Sequence, residues 1–175
     1  FRIGSYFLNH LKMRQDTIKE KLLLGGFSFG KRYYLNSWLR FQVGTLFHFG
    51  SMNEPLSSVK YLYKNIGIDL DIHFVKDINN QSKAYFVLGG GINRMRVECK
   101  TNNFDIKSWG PSLNIGIGYD YRIEKDIMIS LSYLHRFWRP ITYLDIVDFP
   151  FEPIKYQETF YSHILKIELF FNLIN

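Results

Sequence analysis

The sequence predicts an all-β fold, an eight-stranded antiparallel up-and-down transmembrane β-barrel, on three observations. Long segments alternate with period two between an apolar or aromatic face and a face of Gly, Ser, Asn and charge. The design recurs about eight times along 175 residues. The connections between these segments alternate in length, and that alternation plays no part in choosing the strands.

The segment 109–123, WGPSLNIGIGYDYRI, shows the design most clearly. Its odd positions, from Trp109 to Ile123, are mostly large and apolar; its even positions carry Gly110, Ser112, Asn114, Gly116, Gly118, Asp120 and Arg122. A soluble strand would coat its polar face with long chains suited to open water. Small residues there point to a confined space, and the run exceeds the usual soluble strand of about five or six residues. A tilted membrane strand needs roughly 9–11.

In chain order, 1–11 is the least regular strand, and 20–31 opposes Leu23, Phe27 and Phe29 to Glu20, Gly26, Ser28 and Gly30. Residues 37–49 set Leu39, Phe41, Val43, Phe47 and Phe49 against Trp38, Arg40, Gln42, Gly44 and His48. Residues 61–74 set Ile66, Ile68, Leu70, Ile72 and Phe74 against Asn65, Gly67, Asp69, Asp71 and His73. In 83–97 the triplet Gly89-Gly90-Gly91 predicts a bulge or a sharp bend. Residues 127–138 and 159–173 complete the set, placing Ser130, Ser132, Arg136, Lys166 and Glu168 inward. The predicted connections are 12–19, 31–36, 50–60, 76–82, 98–108, 124–126 and 139–157. Short periplasmic turns and longer extracellular loops are the rule in bacterial outer-membrane barrels, which puts both termini on the periplasmic side.

Length leaves room for one domain, 1–175, with no second domain expected. No segment approaches 18 uninterrupted apolar residues, so helical spans are not predicted. The chain opens at Phe1 within a strand pattern, which reads as a mature or trimmed form. The single cysteine, Cys99, has no intrachain disulfide partner. A soluble lipocalin-type barrel is the runner-up. Its outside would then be the Gly, Ser, Asn and Asp face, poor in the long charged chains that coat soluble surfaces.

The strand pattern, the loop alternation and a last strand reading YSHILKIELFFNLI resemble the small outer-membrane barrels of the OmpA-like and OmpX-like type, including PorT-like proteins of Bacteroidetes. The resemblance covers nearly the whole chain. The final strand departs from the family habit of ending on an aromatic residue, since the chain ends Leu173-Ile174-Asn175. The resemblance implies the outer membrane of a Gram-negative bacterium, with periplasmic termini and extracellular long loops.

Inside so small a barrel there is room for side chains but not for an open pore. Arg40, His48, Asp69, Asp71, His73, Asp120, Arg122, Arg136, Lys166 and Glu168 all have inward parity. Both signs occur in similar number, which predicts a paired charge network that rigidifies the wall; a proton or ion path is the alternative. Some small barrels modify lipid A with a Ser-His-acid set. Here His135 points outward in YLHRFW without a serine two positions on, while Ser130 and Ser132 share the inward face, so catalysis is not expected. No cofactor or metal site is read.

The net charge is +6. Basic residues gather near the predicted loops, and Lys21, Lys64, Arg94 and Arg96 are candidate lipopolysaccharide contacts; a merely solvated rim is the alternative. Nucleic acid is not an expected partner. The connection 139–157, RPITYLDIVDFPFEPIKYQ, is too apolar for a loop left in water. Tyr143, Leu144, Phe149, Phe151 and Tyr156 are candidate contacts for a protein partner, beside upper aromatics Phe47, Phe49, Phe137 and Trp138; a self-packed lid is the alternative. The expected role is a non-enzymatic structural or accessory subunit of an envelope complex. A stand-alone surface adhesion or ligand-binding barrel is the second expectation, and a lipid A-modifying enzyme the third.

Overall fold

The computed structural model describes the backbone of residues 2–12, 24–53, 60–99, 104–139, 141–145, 154–157 and 160–171, and the side chains of 25–51, 62–98, 107–139 and 161–171. The strands are β1 (Arg2–Lys12), β2 (Leu24–Tyr34), β3 (Leu39–Asn53), β4 (Lys60–Asp77), β5 (Ser82–Cys99), β6 (Phe104–Arg122), β7 (Ile127–Trp138), β8 (Ile141–Asp145), β9 (Ile154–Gln157) and β10 (Phe160–Phe171). Each of β1 to β6 pairs antiparallel with the next, β7 pairs with β10, and β10 returns to β1. Eight strands thus close into a ring. Closure suits lipid, because no water is available there to satisfy an open sheet edge.

Three turns at one end are short, at 35–38, 78–81 and 123–126. Asn36 Oδ1 accepts the amides of Trp38 at 3.0 Å and Leu39 at 2.7 Å, and Asn79 Oδ1 accepts that of Gln81 at 2.9 Å. An asparagine at this position reproduces a backbone turn with its own side chain, which fixes the register of the strands it joins.

At the other end the wall rises unevenly. β4, β5 and β6 run 18, 18 and 19 residues, beyond what a tilted span needs. The connection expected at 139–157 is corrected here: its residues 141–145 and 154–157 are strand. Asp105–Trp109 of β6 pair with β8, and β8 pairs with β9, so β8 prolongs β7 and β9 prolongs β10. Pro140, which has no N–H, stands at the join, and Arg139 N donates to Pro111 O at 3.2 Å just before it. Likewise β5 and β6 consume most of the connection expected at 98–108. Phe149 and Phe151 lie outside the described residues.

The two faces differ as lipid and packed interior require. Ile92 and Ile117 are 63% exposed and Ile68 59%, within a wider belt that includes Leu113, Leu131 and Leu169. An apolar surface far larger than a few hundred Å² would be untenable in water. Inward positions between them are buried, as in β7, where Ser130, Ser132, Leu134, Arg136 and Trp138 alternate with exposed or half-buried residues. The bulge expected at the glycine triplet is also corrected. The β4–β5 register runs unbroken from Leu70 opposite Gly90 in both directions. A Cβ at Gly89 would collide with Asp71 Oδ1 and one at Gly91 with Asp69 Oδ1, so these glycines make room for carboxylates.

A closed membrane barrel resists detergent denaturation in the cold. The unboiled protein is expected to migrate faster than the boiled protein in dodecyl sulfate gels, and to need detergent to stay dissolved. Equal migration together with solubility in plain buffer would contradict this fold.

Candidate functional site

The interior is the most highly organised part of the molecule. Among the described residues, four cations (Arg32, Arg40, Arg136, Lys166) and four carboxylates (Asp69, Asp71, Asp120, Glu168) are buried. The signs balance, as they must where an isolated charge would cost several kcal/mol in desolvation. Two clusters share the work.

The first centres on Asp120 of β6. Its Oδ2 accepts from Arg40 Nη1, and from Arg32 Nη1 at 3.2 Å. Arg40 Nε donates to His73 Nδ1 at 3.1 Å, and Arg32 Nε to Gln42 Oε1 at 3.0 Å. Tyr85 braces the group: its ring stacks on His73 with centroids 4.8 Å apart, lies 4.4 Å from the Arg40 guanidinium, and its hydroxyl is 2.6 Å from Ser130 Oγ. Phe170 covers Arg32 from the other side at 3.5 Å. Gly118 leaves the space Tyr85 fills, since a Cβ there would overlap its ring. Planar guanidinium groups stack and hydrogen-bond at once, so two like charges can share one carboxylate.

The second cluster spans β4 to β7 and β10. Arg136 Nη2 pairs with Asp69 Oδ2, its Nε donates to Asn114 Oδ1 at 2.8 Å, and its Nη1 to Asn93 Oδ1 at 3.2 Å. Asn114 in turn donates to Asp71 Oδ1 at 2.9 Å, and Lys166 Nζ lies 3.9 Å from Asp71 Oδ2. His48 approaches Asn65 Nδ2 at 3.5 Å. Glu168 is buried on the strand of Lys166 and stands opposite Ser130, whose Oγ meets the Tyr85 hydroxyl of the first cluster. An apolar layer of Leu46, Tyr63, Met95, Leu134 and Ile164 fills more of the interior.

Four placements differ from the sequence reading. Trp38, set on the inward face with Arg40 and Gln42, is exposed in the turn that precedes β3. Arg122 is exposed, not inward: it follows Asp120 at the end of β6, where its amide joins the turn through Gln81 O at 2.8 Å and the wall no longer encloses it. Trp138 is buried instead of lipid-facing, with Nε1 donating to Gly110 O at 3.2 Å. Arg32 was placed in a turn, yet β2 continues to Tyr34 and carries it inward. Tyr85 has inward parity in the sequence and is buried, but its role as a brace went unassigned because its contacts with His73, Arg40 and Ser130 depend on the register between strands.

Outside, the register assembles a basic row from three strands. Phe49, Lys64, Arg96 and Lys107 stand opposite one another in succession across β3, β4, β5 and β6, and Arg94 faces Ile66 one pair away. Glu98 is the carboxylate that meets Lys64 at 3.0 Å and Arg96 at 3.2 Å. A surface cleft of about 520 Å³ is lined by Phe27, Phe47 and Phe49 on one side and Lys64, Arg94 and Arg96 on the other. Phe27 stacks on Phe47 at 5.1 Å. The cleft can therefore take a molecule that is greasy at one end and anionic at the other. Lys21 lies outside the described residues; Tyr143 and Leu144 fall in β8 and Tyr156 in β9, on the projecting hairpin.

Replacing Asp120 by Ala leaves Arg32 and Arg40 to face each other without their shared carboxylate. Unfolding in denaturant should show a loss of about 3–5 kcal/mol, against less than about 0.5 kcal/mol for Glu124→Ala in an exposed turn. Equal effects would mean that Asp120 is solvated.

No family model matches the sequence, and no curated protein matches it. Solved structures do resemble it. Neisserial surface protein A is 15% identical, with 98% of this chain and 95% of that one covered and a TM-score of 0.64. Ail, the attachment invasion locus protein of Yersinia pestis, is 17% identical over 97% and 95%, with a TM-score of 0.55. The outer membrane enzyme PagL is 9% identical over 96% and 98%, with a TM-score of 0.50. At these identities the likeness concerns fold alone: this chain has the architecture of the small outer-membrane β-barrels.

Proposed function

We propose that the protein is a non-enzymatic outer-membrane barrel, a structural or accessory subunit of an envelope assembly, that acts through its outer wall and loop end and not through its interior. The observation that carries this reading is the filled interior. Buried side chains of balanced charge occupy the space a channel or a ligand would need. In the proposed orientation the short turns and both termini are periplasmic and the β8–β9 hairpin is extracellular.

Two surfaces remain for function. The cleft beside Lys64, Arg94 and Arg96 suits lipopolysaccharide, with phosphates on the cations and acyl chains on Phe27, Phe47 and Phe49. Glu98 already bridges Lys64 and Arg96, and an anionic headgroup spanning Lys64, Arg96 and Lys107 would add charge-assisted hydrogen bonds along the row. The projecting hairpin, with Tyr143, Leu144, Phe149, Phe151 and Tyr156 in its sequence, is the proposed contact with another outer-membrane or surface protein.

Adhesion or ligand binding is the second reading. It is favoured by the same basic row and by the likeness to Ail, whose structure is also known in complex with the heparin analogue sucrose octasulfate. A lipid A hydrolase reading fits less well, because Ser130 and Ser132 are buried inside while His135 lies on the outer face.

In nanodiscs, Lys64→Ala/Arg96→Ala/Lys107→Ala should retain at least tenfold less lipopolysaccharide than the parent, with no change for dephosphorylated lipid. Mass spectrometry of proteins that co-purify in mild detergent should lose specific partners when 141–157 is replaced by a short turn. Retained lipopolysaccharide and unchanged partners would overturn the proposal. Loss of sulfated-sugar binding alone would favour the adhesion reading.

A further inference from the structure

Two outward-facing rows run side by side across five strands of the wall. Phe74, Phe86, Ile117, Tyr133 and Leu165 stand opposite one another in succession on β4, β5, β6, β7 and β10. Two residues nearer the short turns the row reads Lys76, Ala84, Tyr119, Leu131 and Ile167. A groove of about 610 Å³ lies between them, and Tyr85, Gly118 and Ser132, inward positions that separate the rows, meet it from beneath. Ala84 is the small side chain of the second row, and it leaves the groove open between Lys76 and Tyr119.

The groove has a polar end and an apolar end. Lys76 stands beside Asp77, the last residue of β4, close to the turn at 78–81. Leu131 and Leu165 lie well inside β7 (Ile127–Trp138) and β10 (Phe160–Phe171). The rows therefore climb from the turn end of the wall towards its middle as they pass from β4 to β10. Inter-strand steps of about 4.8 Å make the groove roughly 19 Å long, close to the ~15 Å of hydrocarbon in one leaflet. At the turn end, Tyr119 donates its hydroxyl to Ser82 Oγ at 2.7 Å. A tyrosine fixed in this way marks the level where lipid meets water.

Lys76 carries the chemistry. An ammonium with outward parity is costly in hydrocarbon and reaches for the headgroup layer. Asp77, the carboxylate next to it in sequence, is engaged by Lys83 at 2.8 Å. Among the described residues Lys76 has no carboxylate partner. We propose that the groove holds one glycerophospholipid, its phosphodiester on Lys76 and an acyl chain laid past Ala84 along Ile117, Leu131 and Leu165. The ammonium only donates and the phosphate only accepts, so the pair is charge-assisted. The site is separate from the cleft at Lys64 and Arg96, which lies at the opposite end of the wall. The choice of a phospholipid over lipopolysaccharide rests on the proposed orientation, which puts the short turns, and so Lys76, in the periplasmic leaflet.

The test uses the full chain, delipidated by detergent exchange and titrated with phosphatidylglycerol under native mass spectrometry. One lipid per barrel is expected to survive activation that strips the rest. Lys76→Ala and Ala84→Phe, the second of which fills the groove, should each weaken binding by about tenfold or more. Diacylglycerol, which lacks the phosphate, should be held no better than phosphatidylglycerol is by Lys76→Ala. Lys31→Ala, which removes an exposed lysine at the same end on β2, should leave binding intact. Heat-shifted gel migration confirms that each variant folds. Unchanged binding in Lys76→Ala or in Ala84→Phe would overturn the proposal. So would a dimer on gel filtration that Ala84→Phe dissolves, since a second copy would then occupy the groove. Lipopolysaccharide that displaces the phospholipid in a Lys76-dependent way would overturn the phospholipid together with the orientation, and would leave the test of Lys64, Arg96 and Lys107 untouched.

Discussion

A backbone amide in hydrocarbon has no water to turn to, and this constraint organises the molecule. An open sheet would leave two edges unpaired, so the first strand must meet the last. Closing eight strands fixes a narrow bore, and the bore fixes what the inward positions can be. Glycines lie where a neighbour needs space, as Gly89 and Gly91 do for Asp71 and Asp69. Among the described residues the buried charges balance as a whole, with Asp120 between Arg32 and Arg40 and Asp69 against Arg136. The outward positions are left to face lipid, and they are apolar.

Where the constraint relaxes, the design changes. β4, β5 and β6 continue past the span, and the shorter strands β8 and β9 prolong β7 and β10. Beyond the lipid, outward residues need not be apolar, and the wall there carries Lys64, Arg94, Arg96 and Lys107 beside aromatic rings. A filled interior and a chemically mixed exterior divide the labour. Rigidity comes from within, and the proposed recognition lies on the outside.

Much of this was legible in the sequence because lipid enforces alternation. Residues 109–123 gave the pattern, and the loop lengths gave the up-and-down order independently. The errors fall where lipid stops writing the pattern. Residues 139–157 read as a loop because prolines at 140, 150 and 153 punctuate the segment and its many apolar residues keep no strict period of two. Arg122 read as inward because parity was extended past the end of the wall, and Arg32 was lost because β2 was ended early. Trp138 shows a different limit, since an aromatic satisfies either face. The basic row depends on register between distant strands, and a single sequence carries no direct record of register.

Closure between β1 and β10 is the claim on which the rest depends, and a cross-seam disulfide tests it most directly. Ser5 and Ile167 are directly opposite, a placement with Cα atoms about 4.5–5.5 Å apart, within disulfide reach. In a background with Cys99 replaced by Ser, the Ser5→Cys/Ile167→Cys protein should cross-link almost completely under mild oxidation in the folded state. Ser5→Cys/Ile115→Cys, which places the second cysteine on β6, should not. Equal cross-linking of the two pairs, or none in the first while the protein stays folded, would contradict a closed barrel in this register.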